Sequence, residues 1–562
     1  MTAPAFDLER VGYSFEAGAM PALQEVTLRA DAGEWIAVAG ASGSGKSVLA
    51  QLLSGYLPRS GGGVRTGRLL VFGADPAEAD IAAAAQRIGV VFQDPDAQLV
   101  QGRVEDEVAF GPENLCVPAA GIERRVAEAL AAVQLTPQRM ARVHALSGGQ
   151  RQRTAIAAAL ALEPPLLVLD EPAASLDAAA RTRLLALLRR LHREGRTVVT
   201  LSGRIDELAA AAPRLVVLDA GTVVMDGPAG ELIRGERARM ERLGLLPPGA
   251  AAAPGAGAAD LVPLLAASKA AGLPHPPLAP AAPSVSAAPS EPAAPPAPAA
   301  PSVPAVPSEP AAPSEPAAPP VPAAPSEPAA PTAPAAAPLL EVRSLTFAYA
   351  PKSAPVLTGI DLTLGPGEWR LLCGENGSGK TTLSRLLMGL LRPPKGAVFW
   401  QGKDAARLSL YKLASDIGYV FQQPEQQFVA ATVWDELLYG PRCQLRLRKR
   451  DPLPEELRQR ALELLETIGL RDKADVSPYL LSGGEKRLLS IAASMISPKK
   501  LYILDEPTAG IDYNGVRMLI ALCCQALTGG ASLIVITHEP GLFAGNPVRQ
   551  WSMREGRLEA AD

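Results

Sequence analysis

The chain has 562 residues, with 54 Lys and Arg against 58 Asp and Glu and a formal net charge of −4. That length holds more than one domain with a sizeable core. The charge balance excludes a global attraction to nucleic acid, though a local basic patch is compatible with it. The sequence has no uninterrupted run of the ~18 apolar residues that a membrane-spanning helix needs. Met1 to Asp7 lack the basic start and apolar core of a signal peptide. The cysteines, Cys116, Cys373, Cys443, Cys523 and Cys524, have no metal-binding spacing, and Cys523-Cys524 reads as buried helix filler. A reducing cytoplasmic setting fits.

Two copies of one pattern run along the chain. Each opens with alternating apolar residues, as strands of an antiparallel edge do. Residues 11–15 lead to 34–39 in the first copy, and 345–349 lead to 368–373 in the second. Each second strand runs into a glycine-rich loop: Gly40-Ala41-Ser42-Gly43-Ser44-Gly45-Lys46-Ser47 or Gly374-Glu375-Asn376-Gly377-Ser378-Gly379-Lys380-Thr381. Helices are predicted over 47–57 and 381–391. Further on come Leu146-Ser147-Gly148-Gly149-Gln150 and Leu481-Ser482-Gly483-Gly484-Glu485, then strands ending in Asp170-Glu171 and Asp505-Glu506. Lys46 to Asp170 is 124 residues and Lys380 to Asp505 is 125; the serine-to-aspartate step is 23 in both copies.

The expected division is a first domain at 1–235, an extension of it at 236–278, a linker at 279–338 and a second domain at 339–562. A helix is predicted at 236–246. The linker repeats Pro-Ser-Glu-Pro-Ala-Ala-Pro from Pro289, Pro307, Pro313 and Pro325. Proline fixes φ and removes donors, so this tract reads as an extended spacer. The basic stretch Arg442, Arg446, Arg448, Lys449 and Arg450 reads first as a solvated face and second as a contact for RNA or lipid headgroups.

The strand, glycine loop and helix context points to phosphate binding. Amides around Gly40, Ser42, Gly43 and Gly45, and around Gly374, Asn376, Gly377 and Gly379, face phosphate oxygens, with Thr382 following. Lys46 and Lys380 reach the β- and γ-phosphates. Ser47 with Asp170, and Thr381 with Asp505, are expected to hold Mg²⁺ beside ATP.

The ordered set, present twice, resembles the ATPase subunit of ABC (ATP-binding cassette) systems. The resemblance implies two tandem α/β P-loop domains. Each has a RecA-like core, an antiparallel β subdomain and a helical signature subdomain. It implies adenine stacking on Phe15 and Tyr349, for which ordinary core aromatics are the alternative. It makes Glu171 and Glu506 the groups that polarise the attacking water. Gln93 and Gln422 become Q-loop residues near Mg²⁺ and the γ-phosphate, and Asp177 and Asp512 become D-loop residues at the interface. The signature serine and glycines work in trans from a helix N-terminus. Site one therefore pairs Lys46, Asp170 and Glu171 with Ser482, Gly483 and Gly484. Site two pairs Lys380, Asp505 and Glu506 with Ser147, Gly148 and Gly149. The chain is expected to fold as an intramolecular head-to-tail dimer.

The family's switch histidine is His538 in the second copy, 33 residues past Asp505; the same count from Asp170 reaches Gly203. Site two is therefore expected to hydrolyse ATP and site one mainly to bind it, unless Ser202 or Arg204 compensates. After the Q-loops come Val104-Glu105-Asp106-Glu107 and Val433-Trp434-Asp435-Glu436. These resemble the ATPases of energy-coupling factor (ECF) importers of vitamins or metal ions. That resemblance implies a peripheral place on the cytoplasmic face of the membrane. It also implies a membrane scaffold and a small substrate-binding membrane protein as partners. A soluble tandem ATPase acting on the ribosome or nucleic acid is the alternative.

Overall fold

The structure is a computed structural model, and it describes residues 4–16, 21–174, 176–247, 337–350 and 353–560. Nearly all of the predicted linker, and most of the predicted extension, lie outside the described residues.

Each copy is built on a six-stranded sheet with one strand order. In the first the order is Ile88–Val91, Leu166–Asp170, Thr197–Ser202, Trp35–Ala39, Arg214–Asp219 and Thr222–Pro228. The first five strands are parallel and the last is antiparallel. The second copy repeats this with Ile417–Val420, Leu501–Asp505, Ser532–Ile536, Trp369–Gly374, Val548–Arg554 and Arg557–Ala560. The strands feeding the glycine loops are thus central and parallel, whereas the sequence placed them with an antiparallel edge. Their near-continuous apolar runs, Trp-Ile-Ala-Val-Ala in the first, suit a strand covered on both faces.

The antiparallel sheets are separate. One orders Leu23–Asp31, Pro4–Ser14 and Val64–Val71; the other orders Leu357–Leu364, Leu340–Phe347, Val398–Trp400 and Lys403–Asp404. A helical layer completes each copy: Val104–Asn114, Ala119–Ala132 and Gly148–Ala161, then Val433–Leu445, Glu455–Thr467 and Gly483–Met495. Its apolar stripes share one core with the parallel sheet, where Val108, Leu130 and Ile156 join Leu167 and Val198.

Helices after the glycine loops are shorter than predicted, Lys46–Leu53 and Lys380–Met388. Gly389 takes a left-handed φ of 79° and closes the second, a common helix stop. The helix predicted at 236–246 is Arg237–Arg242, ending before Gly244 at φ 72°. Cys523 is buried in the helix Tyr513–Thr528, and Cys524 is half-buried there.

Candidate functional site

Both glycine loops lie between the central strand of a parallel sheet and a helix. Gly45 and Gly379 cap those helices at φ 98° and 100°, a conformation open to glycine. A Cβ on Gly40 would stand 2.5 Å from Leu218 O, so the loop also needs glycine for close approach. Lys46 Nζ donates to Gly40 O at 2.6 Å and Ala41 O at 3.0 Å. Lys380 Nζ donates to Gly374 O and Glu375 O, both at 2.8 Å. Burial pushes both ammonium groups below their ordinary range, against the pull of Glu171 and Asp170 or Glu506 and Asp505. Each lysine sits inside its own loop, ready to exchange carbonyl oxygens for phosphate oxygens.

Asp170 and Asp505 each end a parallel strand that is separated by one strand from the strand feeding the glycine loop, and both are almost fully buried. Burial raises both carboxyls, Asp505 to about 6. The Ser47 hydroxyl beside Asp170 and the Thr381 hydroxyl beside Asp505 work against that rise, yet one oxygen of each carboxylate, Oδ1, is buried with no hydrogen-bond partner. A hydroxyl beside an orphaned carboxylate oxygen is a hard-oxygen donor pair that fits Mg²⁺.

Glu171 and Glu506 follow directly, and both adopt left-handed backbone, at φ 50° and 49°. Non-glycine residues rarely do so, and such strain gathers at working sites. Their neighbours differ. His538 Nδ1 lies 2.8 Å from Glu506 Oε2. The matching position by Glu171 is Gly203, where a Cβ would stand 3.1 Å from Glu171 Oε1. Ser202 Oγ donates to the Arg204 carbonyl at 2.6 Å, and the Arg204 guanidinium donates to Glu539 in the second copy. Burial pushes the Glu171 carboxyl up to about 7, despite the opposing charge of Lys46.

Ser147 and Ser482 each cap a signature helix, Gly148–Ala161 and Gly483–Met495. In both, a capping box is closed by Gln150 or Glu485. The signatures face the other copy. A Cβ on Gly483 would come within 2.6 Å of Gln93 Nε2, and one on Gly148 within 3.6 Å of Gln422 Nε2. The D-loops also cross over. Asp512 Oδ2 accepts the Ser42 amide at 3.0 Å, and Asp177 Oδ2 accepts the Asn376 amide at 3.4 Å. The residues expected to form site one, and those expected to form site two, are therefore together, head to tail.

Phe15 and Tyr349 are 53% and 59% exposed, so neither is a core aromatic. Each is braced edge-on by a neighbour, Tyr13 or Phe347, and Tyr349 Oη lies 3.0 Å from Thr382 Oγ1. The basic stretch at 442–450 is largely exposed, and its Lys449 pairs with Asp435.

Sequence reasoning missed the groups that hold the Q-loops. Gln98 accepts the Phe92 amide and donates to Val90 O, and Gln427 does the same with Phe421 and Tyr419. Glu107 accepts the amides of Val100 and Gln101, and Glu436 those of Val429 and Ala430. The doubled Gln and Glu spacing after each Q-loop was the available signal.

A sequence profile of the ABC transporter family matches residues 23–174 and 357–509, more than half of the chain. An ABC transporter ATP-binding protein of Caldanaerobacter subterraneus subsp. tengcongensis, provisionally named so, is 30% identical over 96% of this chain and 87% of its own length. A Bacillus subtilis protein with the provisional name HMP/thiamine import ATP-binding protein YkoD is 30% identical over 99% of this chain and 95% of its own length. Among solved structures, cbiO1 from Clostridium perfringens, described as part of the ABC transporter complex cbiONQ, is 31% identical. It covers 43% of this chain and 95% of its own, with a TM-score of 0.37.

Proposed function

The chain belongs to the ABC transporter family and is an ATPase, and from that premise we propose that it energises an ECF-type importer of a vitamin or metal ion. The observation that carries this reading is the likeness, over nearly the whole chain, to a relative whose name specifies HMP/thiamine import. The doubled pattern after the Q-loops supports it. So do exposed apolar residues flanking those loops: Val100, Phe110 and Met140 in the first copy, and Val429, Tyr439, Tyr479 and Leu480 in the second. These suit the coupling helices of a membrane scaffold, with a small membrane protein binding the substrate. Among the described residues no helix is long and apolar enough to cross a membrane. The likeness to transporter ATP-binding proteins supports a peripheral place on the cytoplasmic face.

In this reading two ATP molecules lie between the copies. Lys46 or Lys380 and the loop amides hold the phosphates, while Phe15 or Tyr349 stacks on adenine. Signature Ser482, Gly483 and Gly484, or Ser147, Gly148 and Gly149, close over the γ-phosphate from the other copy. Mg²⁺, when bound, neutralises phosphate charge; Ser47, Asp170 and Gln93, or Thr381, Asp505 and Gln422, would hold it. Glu506, oriented by His538, takes a proton from the attacking water. Glu171 lacks that partner, so site one binds ATP and site two turns it over.

The expected outcome in the assembled complex is that Glu506→Gln lowers ATP hydrolysis by ~10²–10³, while Glu171→Gln lowers it far less. Nucleotide trapping at each site should accompany the rates. Equal losses with equal trapping would sink the asymmetry. The transport reading is tested by purifying the tagged chain from detergent-solubilised membranes. Two small hydrophobic partners are expected, and the substrate-binding one would identify the cargo. Recovery with ribosomes, or alone, overturns it.

A further inference from the structure

Arg204 and Glu539 occupy the same position in the two copies, 34 residues past Asp170 and Asp505 respectively. They also touch: Arg204 Nη2 donates to Glu539 Oε2 at 2.9 Å. Equivalent residues of two related domains meet only where the axis relating the domains passes. The D-loop contacts describe the same axis, because Asp512 reaches Ser42 as Asp177 reaches Asn376. The pair therefore sits at the centre of the interface.

What surrounds the pair is unequal. Arg181 Nη1 donates to the other Glu539 oxygen at 3.3 Å, so both oxygens of this carboxylate take a guanidinium from the first domain. The Glu539 side chain is only 5% exposed. Arg181 lies four residues past Asp177, and four residues past Asp512 the second domain has Val516. Arg204 also stands over the Tyr513 ring, 5.5 Å from its centroid, where the first domain offers Ala178. The cationic half of the contact thus belongs to one domain, and the anionic and aromatic half to the other. Glu171, Asp206 and His538 border the same small cavity.

We propose that Arg204 and Arg181, set against Glu539, form a charge code on the pseudo-twofold axis that directs the first domain onto a second domain and rejects its own kind. The competing partner is a second copy of this chain. Two first domains paired in this way would bring four guanidinium groups to the axis with neither Glu539 nor Tyr513 to receive them. Two second domains would bring two buried carboxylates together with Val516 where the arginines belong. Like charges at a desolvated contact are strongly disfavoured, and that repulsion sets specificity as much as the attraction does. The signatures and D-loops are similar in the two copies and carry no such preference. This inference does not depend on the transport reading or on which site hydrolyses.

The test uses the full-length chain and three variants: Arg204→Glu, Glu539→Arg and the double exchange. ATP hydrolysis and mass by light scattering are measured, with circular dichroism to establish folding. Each single variant is expected to lose at least about tenfold in hydrolysis, because every available pairing then sets like against like. The exchange restores most of it. An equimolar mixture of the two single variants forms a two-chain species, since each first domain then finds its opposite on the other chain. The conservative Glu539→Gln keeps a hydrogen-bond acceptor and gives an intermediate loss if Glu539→Arg fails to fold. The proposal is overturned if the exchange stays as impaired as the folded single variants. It is equally overturned if Glu539→Gln is indistinguishable from wild type, or if the mixture holds no more two-chain species than either variant alone.

Discussion

Glu171 and Glu506 share their backbone conformation, at φ 50° and 49°, but their side chains live under different conditions. Glu506 has a histidine at 2.8 Å, whereas Glu171 faces a glycine. Burial pushes Glu171 up to about 7 from an ordinary 4.5, so the folded protein prefers it protonated. The sign follows directly. Stability from this group is complete below the ordinary carboxylate range and is lost as pH rises toward about 7. Glu171→Gln removes the cost of ionising it. In nucleotide-free, chelator-treated protein, the melting temperature of Glu171→Gln relative to wild type should climb between pH 5 and pH 8. A difference that stays flat across that range counts against the burial argument. The glutamate, its aspartate neighbour and the missing histidine were all legible in the sequence, because the aspartate follows each glycine loop at nearly one count and the histidine position follows the aspartate by 33 residues in both copies. That Arg204 would leave Glu171 for the second copy was not legible, because its partner lies 335 residues away.

At the scale of elements, helix starts explain much of the site. The serine-to-Gln150 and serine-to-Glu485 spacing is a capping box, so the signature helices could be read from sequence with a mechanism attached. Their reach into the opposite copy came only from family resemblance. The helices Val104–Asn114 and Val433–Leu445 were harder. Their acidic first turns looked like a family mark, but Glu107 and Glu436 each fold back to take two loop amides. No local pattern says that a loop will return over the helix that follows it. Removing a buried acceptor with two donors strands both, at about 1–3 kcal/mol. Glu107→Ala is therefore expected to lower the stability of the first domain by about that much in chemical denaturation. Glu105→Ala, on the same turn but bonded to the half-buried Arg139, which keeps Glu123 as a second partner, should cost less. Equal costs would place the burden on helix charge rather than on the loop.

For the whole molecule, the repeat made two copies of one α/β domain legible, but the central, parallel place of the strand feeding each glycine loop came only with the fold. The seam between the copies was not legible, because it depends on residues from opposite ends of the chain. Part of that seam comes from a segment with no motif at all. Past the helix Arg237–Arg242, the chain turns at Gly244. Its carbonyl accepts the Tyr513 amide at 2.9 Å, and Leu245 O accepts the Ile205 amide at 2.9 Å. Leu245 and Leu246 are fully buried.

Those few residues act as mortar, and they decide where the gene could be divided into two. A cut after residue 247 would leave the mortar attached to the first polypeptide, and the two products should co-purify. A cut after residue 235 would leave the mortar on the wrong piece, dependent on a chain end to find its seat, and co-purification should weaken. If both cuts behave alike, the segment is ballast. If they differ, the boundary between one protein and two lies well beyond Thr222–Pro228, the last element that the two copies share.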